Sequence, residues 1–404
     1  MYCVKKLSTD TYWVGGSDRR LALFENIYPV ERGISYNSYM VVDEKTVLLD
    51  TVDLSVSKVF FENVTHVLGG RPLDYVIVNH MEPDHCESLG RLLTFYPTTQ
   101  VVGNEKTIAM IRQFFDIEVE SSAIVVGEGD TLCTGTHTFS FHMAPMVHWP
   151  EAMVTYDEAD HVLYSADAFG SFGALSGNLS ADEVDFACDW LPDARRYYTN
   201  IVGKYGAQVK TLLDKAQTLE IDTICPLHGP VWRENIPWFL NYYRLWSAYE
   251  PEERGVMIAY ASIYGNTQNA VDRLAARLGD LGVREIAMFD VSRTHHSEIL
   301  AQAFRFSHLV FACPTYNAGL FPPMETLLLE LKAHNLQKRT VALIENGTWA
   351  PVAAGRMKQI FESMKDMRIL SDTLTVRSAL RFEQGRPIEA MAQAIAGEVL
   401  DGAV

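Results

Sequence analysis

The sequence predicts an α/β protein of two domains, the second of them a doubly wound parallel sheet. Three observations carry that expectation. The chain has 404 residues, 48% of them hydrophobic and 21% charged, enough for two ordinary cores. Beyond residue 255, strand-like and helix-like segments alternate without a break, the rhythm that places helices on both faces of a parallel sheet. Before that point, the side chains best suited to hold a metal each stand just past a strand-like run. The polar stretch Tyr-Glu-Pro-Glu-Glu-Arg-Gly at 249–255 marks the boundary, so the expected domains are 1–250 and 251–404.

Taken in order, residues 11–15, 37–42 and 46–49 read as strands, with Asp43 and Glu44 supplying a turn. Residues 55–67 place Val59, Phe60, Val64 and Val67 at helical spacing. Residues 74–79 form an apolar run of buried-strand length, and the leucines of 87–96 return to helical spacing. Strands follow at 100–103 and 124–126 around a helix at 107–115. Further strand-like runs occupy 138–143, 161–166 and 222–227. An aromatic-rich helix then leads to the boundary. In the second half strands are expected at 256–261, 284–290, 308–312, 340–344 and 374–378, with helices at 266–281, 297–304, 323–333, 355–367 and 388–400.

A net charge of −17 without a dense basic block argues against nucleic-acid binding, since neutralising phosphates needs clustered Lys and Arg. No apolar stretch reaches membrane-spanning length and the first residues lack the apolar segment of a signal peptide, so no membrane partner and a cytoplasmic location are expected. The six cysteines are scattered, with no pair three residues apart, which excludes zinc-ribbon and rubredoxin-like thiolate sites and fits a reducing compartment. Cys86 and Cys225 read as small buried residues.

The chemistry concentrates in His80-Met-Glu-Pro-Asp-His85, a strand-to-helix turn. Pro83 disfavours the α region for Glu82, which keeps the backbone extended and sends His80 and Glu82 to the same side, while Asp84 and His85 start the helix. His148, Asp167 and His228 each follow one of the later strand-like runs. If those strands share an orientation, all seven side chains emerge on one rim, where α/β architectures place their sites. Four imidazoles and three carboxylates without a thiolate suit zinc, manganese or iron. Seven ligands are too many for one ion. Two ions about 3.5–4 Å apart would use them, with Asp167 as a bridge. The other histidines, His137 among them, are given no role.

The H-x-E-x-D-H stretch with the spaced His148, Asp167 and His228 resembles the metallo-β-lactamase-like module of flavodiiron proteins. The wider superfamily's hydrolases usually carry His where Glu82 stands. A third carboxylate adds negative charge that favours ferric over ferrous iron, help that zinc hydrolysis does not need. Segments 34–39, 146–151, 165–173, 197–201 and 226–230 strengthen the likeness, and with the carboxyl-terminal half it covers essentially the whole chain. The resemblance implies a metallo-β-lactamase-like αββα sandwich followed by a flavodoxin-like sheet. It also implies two non-haem irons, one held by His80, Glu82 and His148 and nearer the flavin, the other by Asp84, His85 and His228, with Asp167 bridging.

In the second half, Ser262-Ile263-Tyr264-Gly265-Asn266-Thr267 lies between the first strand and its helix. Small hydroxyl residues and backbone N–H groups at a helix start form a nest for a single phosphate, which flavin mononucleotide (FMN) carries, and the G-x-G-x-x-G of dinucleotide folds is missing. Pro314-Thr315-Tyr316-Asn317-Ala318-Gly319 and Asn346-Gly347-Thr348-Trp349-Ala350 follow the third and fourth strands, where a flavodoxin-like fold holds its isoalloxazine ring. Tyr316 and Trp349 are candidates to stack on it. Glu345-Asn-Gly-Thr-Trp departs from the family's usual Gly-Ser-Tyr-Gly-Trp.

The resemblance implies an oxidoreductase that reduces dioxygen to water, nitric oxide to nitrous oxide, or both, with electrons passing from FMN to the irons. It implies a head-to-tail homodimer, or a dimer of such dimers. A separate electron donor is expected, a rubredoxin or a flavin reductase, and Phe24, Tyr197 and Tyr198 are candidates either to tune the choice of gas or simply to pack. The competing reading is a dizinc hydrolase with a flavin-binding regulatory domain, which Glu82 disfavours. An electron-transfer flavoprotein whose front domain only docks a partner leaves the seven ligand-type residues unexplained.

Overall fold

The computed structural model describes residues 2–119 and 121–401, so the outermost positions of both expected domains lie outside the described residues. The chain divides into two compact units, Met1–Tyr198 with Ala207–Tyr243, and Thr199–Gly206 with Arg244–Val404. The short segment at 199–206 joins the second unit through named contacts. Asn200 donates to the Ser297 carbonyl, and the Tyr249 hydroxyl donates to the Gly203 carbonyl while accepting from the Gly206 amide.

The first unit is an αββα sandwich. Its seven-stranded sheet runs, in spatial order, Lys5–Lys6, Thr11–Trp13, Tyr39–Val42, Thr46–Leu49, Tyr75–Ile77, Gln100–Gly103 and Ile124–Val125. Pairing is antiparallel up to Thr46–Leu49 and parallel from there on. Thr46–Leu49 is buried throughout and accordingly reads as a continuous apolar run rather than an alternating one. The second sheet has five strands, Thr131–Cys133, Thr138–Met143, Met153–Asp157, Val162–Tyr164 and Thr223–Cys225.

Two antiparallel steps followed by a parallel one make Thr138–Met143, Val162–Tyr164 and Thr223–Cys225 run the same way. The loops that carry His148, Asp167 and His228 therefore leave one end of this sheet. The ligand rim draws on both sheets, however, because the His80 stretch follows Tyr75–Ile77 of the other one.

The helix expected to start at Asp84 and run on through 87–96 is in fact two pieces, Pro83–Cys86 and Leu89–Phe95. The helix expected at 107–115 begins earlier, at Glu105–Phe114, because the Asn104 side chain caps it by accepting from the Lys106 and Thr107 amides. The strand Met153–Asp157 and the helices Leu191–Tyr197 and Gly206–Ala216 were not expected.

In the second unit, Glu253–Tyr260, Ile286–Asp290, Phe306–Pro314, Thr340–Asn346 and Arg368–Ile369 form a parallel sheet, with Leu374–Val376 also on Thr340–Asn346. The second strand lies outside the first, and the third lies on its other side, which is the flavodoxin-like order. Helices Asn266–Asp280 and Gly385–Leu400 cover one face, packing Val271, Leu274, Leu278, Ile388, Met391 and Ile395 over Val256, Ile258, Val310 and Ile344. The helix expected at 355–367 spans Ala353–Glu362. Arg339 is buried in this unit with its hydrogen bonds directed to backbone carbonyls. Its guanidinium donates to the carbonyls of Ala303, Phe304, Tyr249 and Gln337, and burial pushes its pKa down to about 9.

Candidate metal centre and cofactor cavity

The turn after Tyr75–Ile77 is fixed before it reaches any ligand. Asp50, fully buried, accepts from the Asn79 amide at 2.7 Å, the Asn79 side chain at 2.8 Å and the His80 amide at 3.2 Å. Glu82 is extended, with φ −63° and ψ 140°, as Pro83 dictates, and Pro83 opens the short helix that carries Asp84 and His85. On the facing side, the Asn37 side chain and the Tyr39 hydroxyl hold the Pro226 carbonyl, and His228 Nδ1 donates to the Ser35 carbonyl at 2.7 Å. Gly229 follows with φ +76°, where a Cβ would also meet Ser171 at 2.9 Å.

All seven expected ligands come together, in two sets. One is His80, Glu82, His148 and Asp167, the other Asp84, His85 and His228, with ligand atoms inside each set within 4.8 Å of one another. Glu82 Oε2 lies 3.2 Å from His80 Nε2 and 2.9 Å from His148 Nε2. Asp84 Oδ2 lies 3.3 Å from His85 Nε2 and 3.2 Å from His228 Nε2. Asp167 serves both sets. Its Oδ2 is 3.1 Å from His80 and 3.2 Å from His148, while its Oδ1 is 3.2 Å from His85 and 3.6 Å from His228.

Beyond the contacts of Glu82 with His80 and His148, these groups are close without being hydrogen-bonded in the ordinary way. Both oxygens of Asp84, both of Asp167, both ring nitrogens of His85 and Nε2 of His228 are buried with no hydrogen-bond partner. Lone pairs that crowd together without donors fit cations held between them. Protonation tells the same story. Burial opposes charge on His80 and His148, yet Asp167 and Glu82 outweigh it, lifting His80 well above the imidazole range and His148 to about 9. Asp84 is pushed up to about 7, by burial first and by the carboxylates of Glu82 and Asp167 after it. Protons occupy ligand atoms that a metal would claim.

Sequence reasoning missed the group that aims His80. Glu151, fully buried, accepts through Oε1 from His80 Nδ1 at 2.9 Å and from the Met81 amide at 2.9 Å, which turns Nε2 toward the centre. Its neighbour His148 was the available clue. Of the candidate tuning residues, Phe24 and Tyr197 pack against the His228 ring, with centroids 5.4 and 5.5 Å away. Tyr198 instead packs on Tyr243, at 5.0 Å.

In the second unit, a cavity of about 490 Å³ opens at the carboxyl ends of the first, third and fourth strands, at the switch point of the sheet. It is lined by Ser262, Ile263, Tyr264, Asn266 and Thr267, by 314–318 and by 346–350. Gly265 and Gly319 support rather than line it. Gly265 takes φ +85° to start the helix Asn266–Asp280, and Gly319 closes a turn with Tyr316. Ser378, unexpected from sequence, completes the wall and is held by the Asn346 side chain, to whose oxygen its amide donates. Tyr264 and Trp349 are 90% and 87% exposed at the rim. A helix start and two free aromatic rings around one cavity suit a phosphate and a flat ring system.

A β-lactamase-like fold bearing a carboxylate-rich two-cation site, joined to a flavodoxin-like sheet, defines a class of flavin-linked metalloenzyme. The family model "ODP family beta lactamase" matches residues 34–229. The anaerobic nitric oxide reductase flavorubredoxin of Vibrio vulnificus is 31% identical over 356 residues, covering 87% of this chain and 71% of its own. A variant of the flavo di-iron protein of Thermotoga maritima superposes with a TM-score of 0.89 at 26% identity, over 98% of each chain. The rubredoxin oxygen:oxidoreductase of Desulfovibrio gigas does so with a TM-score of 0.90 at 24% identity, also over 98% of each, a likeness of fold. The chain belongs to the flavodiiron family, whose name implies a flavin and a non-haem diiron centre. Among the described residues no helix is long and apolar enough to cross a membrane.

Proposed function

We propose that this protein reduces dioxygen to water, nitric oxide to nitrous oxide, or both, at two irons supplied with electrons by FMN. In this reading 1–250 is the diiron domain and 251–404 the FMN domain, with dioxygen or nitric oxide as substrate and a rubredoxin or a flavin reductase as donor. The relatives named for nitric oxide reduction and for rubredoxin:oxygen oxidoreduction support it. The observation that carries it is Asp167, whose two oxygens each face a separate set of imidazoles and carboxylates.

His80, Glu82 and His148 would hold one iron, Asp84, His85 and His228 the other, and Asp167 both. Bound there, a pair of irons would supply a change of valence. The chain's own residues do the rest. Glu151 keeps the His80 lone pair on the metal side, Ser35 does the same for His228, and Phe24, Tyr197 and Phe172 raise an apolar wall that keeps bulk water off the His228 side. The contacts of 262–267 would hold the FMN phosphate and Tyr316, Trp349 and the loops 314–319 and 346–350 its ring.

Metal and flavin analysis of the purified protein, with gas uptake under a reducing donor, tests this. Two irons and one FMN per chain with consumption of either gas is expected. Zinc in place of iron, with hydrolysis and no gas uptake, would favour the dizinc hydrolase.

A further inference from the structure

A third group of metal-type ligands stands at the far end of the five-stranded sheet from the diiron ligands. His137 precedes Thr138–Met143, whose other end leads to His148, and Phe139 pairs with Asp157 at the end of Met153–Asp157. Ligand atoms of Asp10, His137 and Asp160 lie within 4.8 Å of one another. His137 is fully buried, and its Nδ1 donates to the fully buried Asp157 at 2.7 Å. That bond fixes the ring and turns Nε2 to Asp10 Oδ2, 3.2 Å away. A carboxylate behind a histidine whose far nitrogen faces further carboxylates is the arrangement that orients metal-bound imidazoles.

Two further observations point into the same place. Asp160 Oδ2 is shielded from solvent and has no hydrogen-bond partner, and the buried hydroxyls of Thr11 and Tyr164 face one another beside it. Tyr164 interacts electrostatically with both Asp157 and Asp160. The charges do not balance. Asp10, Asp157 and Asp160 bring three carboxylates to one imidazole, and among the described residues no Lys or Arg lies within ion-pair distance of them. Even a protonated ring leaves an excess of negative charge. The side chains of Asp10 and Asp160 are only half-buried, which leaves a way in from solvent.

We propose that Asp10, His137 and Asp160 bind a single zinc ion, with His137 oriented by Asp157, and that the ion ties the two sheets of the first unit together. One imidazole and two carboxylates are three of the four ligands of a tetrahedral zinc site, with water as the fourth. Asp10 precedes Thr11–Trp13 of the seven-stranded sheet, whereas the other members belong to the five-stranded one, so the ion bridges the sandwich.

The test uses the iron-loaded, full-length protein. Zinc is added in steps, unbound metal is removed by desalting, and zinc and iron are counted per chain. One zinc per chain with the iron count unchanged is expected, together with a rise in Tm. Asp160→Asn, at a half-exposed position, should keep its iron and FMN but bind zinc at least tenfold more weakly and lose the Tm rise. Asp10→Asn serves the same purpose should Asp160→Asn fail to fold. Zinc that enters only by displacing iron one for one, or an extra zinc equally tight in the variants, would overturn the proposal.

Discussion

Asp167 is the residue on which both ligand sets converge, and it has no substitute within reach. Asp167→Ala should lose one or both irons and abolish gas reduction, read by metal analysis and a gas electrode; retained iron with near-normal uptake would refute its role. Glu151 acts one step back. Glu151→Ala should weaken metal binding about tenfold to a hundredfold by freeing the His80 ring, while Glu151→Gln, which can still accept from Nδ1, should recover most of it. Proton counting offers a third check. With His80 well above its usual range, His148 near 9 and Asp84 near 7, the metal-free protein at pH 7 holds protons on these atoms that iron must displace. Iron uptake should release about two protons at pH 7 and progressively fewer as pH rises past 9, measurable in a pH-stat, and iron affinity should fall on acidification. The convergence of the seven candidate ligands was legible because each follows a strand and few other residues do that chemistry. Glu151 and Asp50 were not, since they act through contacts 71 and 30 positions away in sequence, which no local pattern encodes.

The strands and helices of the second unit were legible almost throughout, because parallel strands buried on both faces and amphipathic helices repeat a clear rhythm. In the first unit many strands are only two or three residues long, such as Lys5–Lys6, Gly16–Asp18 and Leu23–Phe24, too short for a period to show. Loops at strand ends line the candidate cofactor cavity, and there backbone geometry decides. At Gly347 a Cβ would meet Pro351 Cα at 2.8 Å, so Gly347→Ala should displace the 346–350 loop and lower FMN content while iron content stays unchanged. Arg339 makes a different kind of test. Replacing it with Met strands several buried carbonyls at once, and urea unfolding followed through the second unit should show a loss on the order of 3 kcal/mol.

The change of rhythm near residue 250 is the sequence's reason for expecting a metal domain and an FMN domain, whereas the two compact units of the structure divide between Tyr243 and Arg244. What no sequence signal announced is that 199–206 folds with the second unit, because single side chains such as Asn200 and Tyr249 make that assignment. The head-to-tail homodimer implied by the family would bring one subunit's flavin to its partner's irons. Activity per chain should then fall as dilution dissociates the dimer, followed by gas uptake alongside sedimentation, and a fully active monomer would contradict it. The proposed function rests on a metal pair that changes valence and is recharged by a bound flavin. Purified protein, fully reduced without air and mixed rapidly with dioxygen or with nitric oxide, puts that to the test while flavin and iron absorbance are recorded together. Reoxidation of both chromophores within one turnover by at least one gas is the expected result. Flavin and metal that stay reduced in the presence of either gas, or a zinc-filled centre with no spectral change, would contradict it.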